Sequence, residues 1–153
     1  MAGTYSQIYI QAVFAVKGRE NLINASWENE LFKYISGIIT KKGQKSIIVN
    51  GMLDHVHVFI GLKPSMSVSD IIRDIKNNSS NFVNDNKFVN NKFSWQEGFG
   101  AFSYGQSQIK NVYDYIFNQK SHHQKRSFKQ EYFALLKLFE IEFDEKYLFD
   151  WIE

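Results

Sequence analysis

Apolar and polar side chains alternate from Tyr5 to Val16, the period of a half-buried strand, and a polar turn follows. Helical spacing then takes over. Trp27, Leu31, Tyr34, Ile35, Ile38 and Ile39 share one side of a helix running from about Trp27 to Lys42, and Gly43 stops it. Ser46 to Met52 and His55 to Leu62 read as two short strands joined tightly in a hairpin. A second helix starts after Ser67 or Ser69, either of which can cap it, with Val68, Ile71, Ile72, Ile75, Phe82 and Val83 as its apolar stripe. Aromatic, strand-like sequence runs from Phe93 to Tyr104, interrupted by Gly98 and Gly100. Two more helices are predicted, Gln108 to His122 and Phe128 to Glu140.

The order strand, helix, strand, strand, helix, strand predicts an α+β fold of the ferredoxin-like (RRM-like) kind. An antiparallel sheet of this type carries helices on one face and leaves the other open to a substrate. The helix from Gln108 and a further terminal helix are additions to that unit.

Composition narrows the class. At 153 residues, with one proline and no low-complexity tract or repeat, the chain is expected to be a single domain over 1–153. Hydrophobic residues at 44% and charged residues at 22% are those of a globular protein, and the apolar run from Val56 to Leu62 is far too short for a bilayer. The N-terminus alternates like a strand and lacks a basic leader, so a cytoplasmic protein with no membrane association is expected. With no cysteine, disulfides and thiolate metal sites are excluded, and any metal must sit on imidazole, carboxylate, amide or water. The net charge of +2 is uninformative, but basic residues cluster in KSHHQKRSFK from Lys120 to Lys129. The aromatic content of 16% supplies either a large core or platforms for stacking unpaired bases.

Candidate chemistry begins on the strand His55 to Leu62. Alternation sends Val56, Val58, Ile60 and Leu62 toward the helices and His55 and His57 together to the other face. Two imidazoles so placed are either half-exposed surface residues or ligands converging on one divalent ion. A histidine-triad hydrolase needs a third histidine where Phe59 stands, and a cupin needs ligands on later strands; neither pattern is met.

In SQIKNVYDYIFNQKSHH, Ile109, Val112, Tyr113 and Ile116 form the core arc, and Tyr115 lies off it, on the side of Gln108, Gln119 and His122. Tyr113 is thus the structural tyrosine. Tyr115 is either a packing residue or a nucleophile, and a phenol of pKa about 10 needs a nearby cation or base to act as one. Gln119 offers an uncharged oxygen to complete a metal site with the two histidines, compatible with magnesium or manganese.

Three motifs in order, DHVHVFIGL, WQEGFGAFSYG and YIFNQKSHH, with FKQEYFALLKLFEIEFDEKYL after them, resemble the single-tyrosine HUH transposases of minimal single-strand insertion sequences, the IS200-like family, which includes the REP-associated tyrosine transposases. Nearly the whole chain takes part. The resemblance implies that His55, His57 and Gln119 bind Mg2+ or Mn2+ and that Tyr115 forms a 5′-phosphotyrosine and releases a 3′-hydroxyl. It implies single-stranded DNA with hairpins as partner and a homodimer. No nucleotide cofactor is implied, and no phosphate-cradling glycine motif is present. Phe99 and Tyr104 depart from the family's pattern and bear on DNA contacts, not on the catalytic set.

Lys63, Arg73 and Lys76 by the second helix, and Lys120, Lys125, Arg126 and Lys129 after the tyrosine, are candidate phosphate contacts or simply solvated charges. Two other readings share the sequence. One is a domesticated nickase of hairpin repeats; the other is a non-catalytic single-strand binder, in which Phe14 and Phe59 would be exposed stacking platforms.

Overall fold

The computed structural model describes residues 3–152. Four strands, β1 (Tyr9–Ala15), β2 (Lys45–Gly51), β3 (His55–Gly61) and β4 (Gly100–Tyr104), form one antiparallel sheet in the order β2-β3-β1-β4. Helices α1 (Glu28–Lys41) and α2 (Val68–Asp85) cross between strands, completing the ferredoxin-like unit, and α3 (Ile109–Phe117), α4 (Gln119–His122) and α5 (Phe128–Leu138) follow. No helix among the described residues is long and apolar enough to cross a membrane.

The periodic stripes explain the first layer. Leu31, Ile35, Ile38 and Ile39 of α1 and Ile71, Ile72 and Ile75 of α2 are buried against Ala12 and Phe14 of β1 and Val56, Val58 and Ile60 of β3. Helix α1 stops where Gly43 takes a φ of 80°, a left-handed conformation that costs glycine little. Ser67 caps α2, its hydroxyl accepting from Asp70 N at 3.0 Å.

The opposite face is not open. Helix α5 packs Phe128, Tyr132, Leu135 and Leu136 against Val13, Ala15 and Phe102, while Val112 and Ile116 of α3 cover Phe59. The sheet is therefore sandwiched. Hydrophobic Val13, Ala15 and Phe59 on the expected open face are the physical reason, because that surface would otherwise cost free energy in water.

Other boundaries differ from the periodic reading. The first strand starts at Tyr9, not Tyr5, and only Gly100–Tyr104 of the aromatic stretch joins the sheet, with Trp95 bridging to Val16. Gly98, at φ 82°, turns the chain between these two pieces.

The predicted helix from Gln108 to His122 is broken at Asn118, whose backbone leaves helical geometry (φ −95°, ψ 25°). Asn50 Nδ2 donates to the carbonyls of Ile116 and Phe117 at 3.0 and 3.2 Å, and Asn118 Nδ2 to Asp114 O at 2.8 Å. These side chains satisfy carbonyls at the end of α3, so the chain can turn there. The turn aims Gln119 into the protein.

Candidate active site

Because Val56, Val58 and Ile60 enter the α1/α2 core, His55 and His57 must point to the α5 side of β3. Both are 0% exposed, where the sequence suggested solvent access. Each ring is oriented through Nδ1: His55 Nδ1 donates to Asp54 Oδ1 at 2.7 Å, and His57 Nδ1 to Gln11 Oε1 at 2.7 Å. Such partners fix the tautomer and leave Nε2 for the site, as outer partners of metal-bound histidines do.

Glu131 of α5 meets both rings. Its Oε1 lies 3.1 Å from His55 Nε2, 3.1 Å from His57 Nε2 and 3.0 Å from His123 Nε2. Its Oε2 accepts from the Tyr115 hydroxyl and from Gln119 Nε2, the latter at 3.0 Å. Gln119 Oε1 in turn sits 3.1 Å from His55 Nε2. Arg126 Nη2 donates to the Tyr115 oxygen at 2.9 Å, and the His122 ring stacks on the tyrosine at 4.5 Å. Tyr115, His55, His57 and Gln119 are thus brought together within one chain.

Tyr113 differs from its expected role. It is 38% exposed and stacks on Phe117, whereas Tyr115 faces inward toward His57. Val112 and Ile116 stay buried as expected, while Tyr115 at one edge of that arc is half-buried and Tyr113 is left exposed.

Electrostatics follow from burial and this one carboxylate. Burial opposes a charge on His55, but Asp54 and Glu131 outweigh it and raise its pKa to about 9. Burial holds His57 neutral, against the pull of Glu131. Burial would raise Glu131, but hydrogen bonds from His123 and His55 keep it well below the usual carboxylate range. Tyr115 is pushed well above an ordinary phenol, first by burial and then by the Glu131 charge, with Arg126 opposing.

The donor set fits a divalent cation. His55, His57 and Glu131 each offer one ligand atom, all within 4.8 Å of one another and all buried, and Gln119 adds an amide oxygen. A neutral His57, protonated on Nδ1, presents its Nε2 lone pair to a carboxylate oxygen at 3.1 Å. Two acceptors facing each other in a buried site call for a cation between them. A mixed nitrogen and oxygen set of this kind accepts magnesium or manganese.

Titration of the metal-free protein reports this cluster. His55 is near 6.5 when unfolded and about 9 when folded, so its contribution is complete below pH 6.5 and is lost as pH rises through 9. We expect the melting temperature of the chelator-treated protein to fall by roughly 5–10 °C across that window. His57 gives the opposite slope on the acid side, because unfolding lets it take a proton. Glu131→Gln removes the charge that helps hold the His55 proton and flattens the alkaline slope; an unchanged slope in that variant contradicts the assignment.

The basic residues divide. Among the described residues, Arg126 alone of these candidates contacts a site residue directly. Lys76 spans α2 and the following loop, donating to Gln96 O and Gly98 O at 2.9 and 2.6 Å, and burial lowers its pKa to about 8. Lys120 anchors α4 through Glu28 and Gly51 O at 3.0 and 2.8 Å. Arg73 pairs with Asp70 and Asp74 on α2, across the sheet from the histidines. Lys63 follows the far end of β3, roughly 25 Å along the strand from His55. Lys125 and Lys129 are exposed near Arg126 in the chain.

Glu131 and His123 were not singled out by sequence reasoning, nor were Gln11 and Asp54 as orienting partners. One signal for Glu131 exists: it stands inside the buried stripe Phe128, Glu131, Tyr132, Leu135, Leu136, where an unpaired carboxylate would be costly.

A family model described as "Transposase IS200 like" matches residues 4–119. No curated protein matches the chain. Among solved structures, the crystal structure of a candidate transposase from Deinococcus radiodurans R1 is similar with a TM-score of 0.63 and 18% identity, over 78% of this chain and 95% of that one. A REP-associated tyrosine transposase bound to a REP hairpin gives a TM-score of 0.58 and 14% identity, over 80% of this chain and 73% of that one. At these identities the likeness is one of fold.

Proposed function

Since the chain belongs to the IS200-like transposase family, we propose that it is a single-domain, single-tyrosine HUH transposase over 1–153 that cleaves and rejoins hairpin-bearing single-stranded DNA in the cytoplasm. The observation that carries this reading is the meeting of Tyr115, His55, His57, Gln119 and Glu131 about one point.

Tyr115 Oη attacks a backbone phosphorus. A phenol oxygen–phosphorus bond forms, the bond from phosphorus to the 3′ oxygen breaks, and that oxygen leaves as a hydroxyl after taking a proton. The 5′ phosphate stays on Tyr115 until a free 3′-hydroxyl attacks it, which restores the phosphodiester, so no ATP is needed. The phenol proton is lost to water, because Glu131 Oε2, the acceptor it faces, binds a proton too weakly to keep it. Arg126 holds the phenol oxygen from the other side and is placed to steady charge that develops there. A divalent cation (Mg2+ or Mn2+) held by His55, His57, Gln119 and Glu131 would supply Lewis acidity to the phosphate and would offset the carboxylate charge that, after burial, raises the phenol pKa.

One chain contributes both nucleophile and histidines, which supports cleavage in cis. The homodimer implied by the family then serves hairpin binding and does not have to complete the site. Phe14 and Phe59 are both fully buried, and this counts against a non-catalytic binder that stacks bases on the sheet.

Incubation with hairpin oligonucleotides from element ends and manganese tests the reading. A denaturant-resistant protein–DNA adduct on Tyr115, with a free 3′-hydroxyl on the released strand, is expected. Non-covalent hairpin binding without any adduct would exclude it.

A further inference from the structure

Two cavities of about 480 and 500 Å3 flank the cluster, and Arg126 lies in the wall of both. The first is bounded by Tyr115 and Glu131 at its inner end, by Val112 and Leu135 on its sides, and by Ala134 and Leu138 toward solvent. Most of its lining is apolar, yet two carboxamides, Gln108 and Asn111, project from one rim. Gln108 uses Oε1 to accept from Gly105 N at 2.9 Å, which leaves its NH2 to donate elsewhere. Asn111 makes no side-chain hydrogen bond to the described residues.

A slot with apolar walls and amide groups on its edge has the chemistry of a nucleobase site: the walls take the flat faces, and an amide matches the donor and acceptor pattern of a base edge. Its size lies in the range of small-ligand sites and suits one unpaired base with its sugar. Continuity identifies the strand. The attacking oxygen belongs to a residue that forms the cavity wall, so whatever fills the cavity is adjacent to the scissile phosphate.

We propose that the cavity between α3 and α5 seats the unpaired base next to the cleaved phosphodiester, with Val112, Leu135 and Leu138 packing on the base and Gln108 and Asn111 contacting its edge. This rests on the transposase reading above. The second cavity, beyond Arg126, continues the path of the same strand, so that the phosphate crosses at the shared guanidinium. Side chains lining the cavity thereby contribute to selection at the cut position.

The test uses the full chain, manganese and a cleavable single strand in which each nucleotide around the cut is replaced in turn by an abasic residue. Loss of one particular flanking base is expected to lower kcat/KM by about 10- to 100-fold, the scale of one stacked base. Ala134→Trp, at an exposed position on the cavity wall, fills the slot without disturbing the core. It should slow the intact strand to a similar degree and make the abasic strand no worse. Asn111→Ala should reduce discrimination among the four bases at that position while hairpin affinity holds. Abasic changes costing less than about threefold at every flanking position, or wild-type rates in a folded Ala134→Trp, overturn the subsite while leaving the transposase reading intact. Failure of every strand to form an adduct overturns both.

Discussion

Replacing Tyr115 by Phe abolishes the covalent adduct and the new 3′-hydroxyl end, a loss of at least about 1000-fold, whereas Tyr113→Phe retains both. The first change removes the one oxygen that faces both Glu131 and Arg126. Its cost to folding is on the order of 1 kcal/mol, that of one hydrogen bond, because Gln119 still donates to Glu131 Oε2. Lost activity in a protein that melts near the wild-type temperature is then chemical and not structural. Tyr113 stands outside the cluster, stacked on Phe117, and its hydroxyl has no part in it. Activity that survives in Tyr115→Phe and vanishes in Tyr113→Phe would relocate the nucleophile.

His57→Ala is expected to remove metal-dependent cleavage by at least about 100-fold while leaving hairpin affinity within about threefold. The substitution deletes one of the two converging imidazole nitrogens and leaves Gln11 Oε1 without its donor in a buried place. Some destabilisation, roughly 1–3 kcal/mol, accompanies it. The metal therefore has to be followed directly. A cation at 100 times its dissociation constant stabilises the wild type by about 2.7 kcal/mol. That increment should disappear in the variant, read as the change in melting temperature on adding manganese. Full activity, or an undiminished manganese shift, would remove His57 from the metal site.

These expectations draw on features of unequal visibility in the sequence. The alternation in β3 was enough to put His55 and His57 on one side, because the strand period is two and the valines needed a core. The stripes of α1 and α2 and the Ser67 cap were equally readable, since helix signals are local. What covers the histidines was not. Glu131 lies 74 residues from His57, and nothing local says that α5 docks on β1 and β4 instead of extending into solvent. The break at Asn118 depends on Asn50, more than 60 residues earlier, so the helix looked continuous through Gln119. Basic residues were least legible of all. Lys76 and Lys120 spend their charge on backbone carbonyls that only the fold brings near them.

The carboxylate between the imidazoles is the feature from which the rest of the mechanism is built. Its two oxygens divide the work, Oε1 toward the histidines and Oε2 toward the tyrosine and Gln119. Anything that shifts α5 therefore alters metal affinity and the proton on Tyr115 together.

Anomalous scattering from crystals of the protein grown with manganese tests this account most directly. The account predicts one buried peak at coordinating distance, about 2.0–2.4 Å, from Nε2 of both His55 and His57, with an oxygen of Glu131 or Gln119 completing the set beside Tyr115. Manganese found only on surface carboxylates, with both imidazole Nε2 atoms still 3.1 Å from Glu131 Oε1, would contradict it.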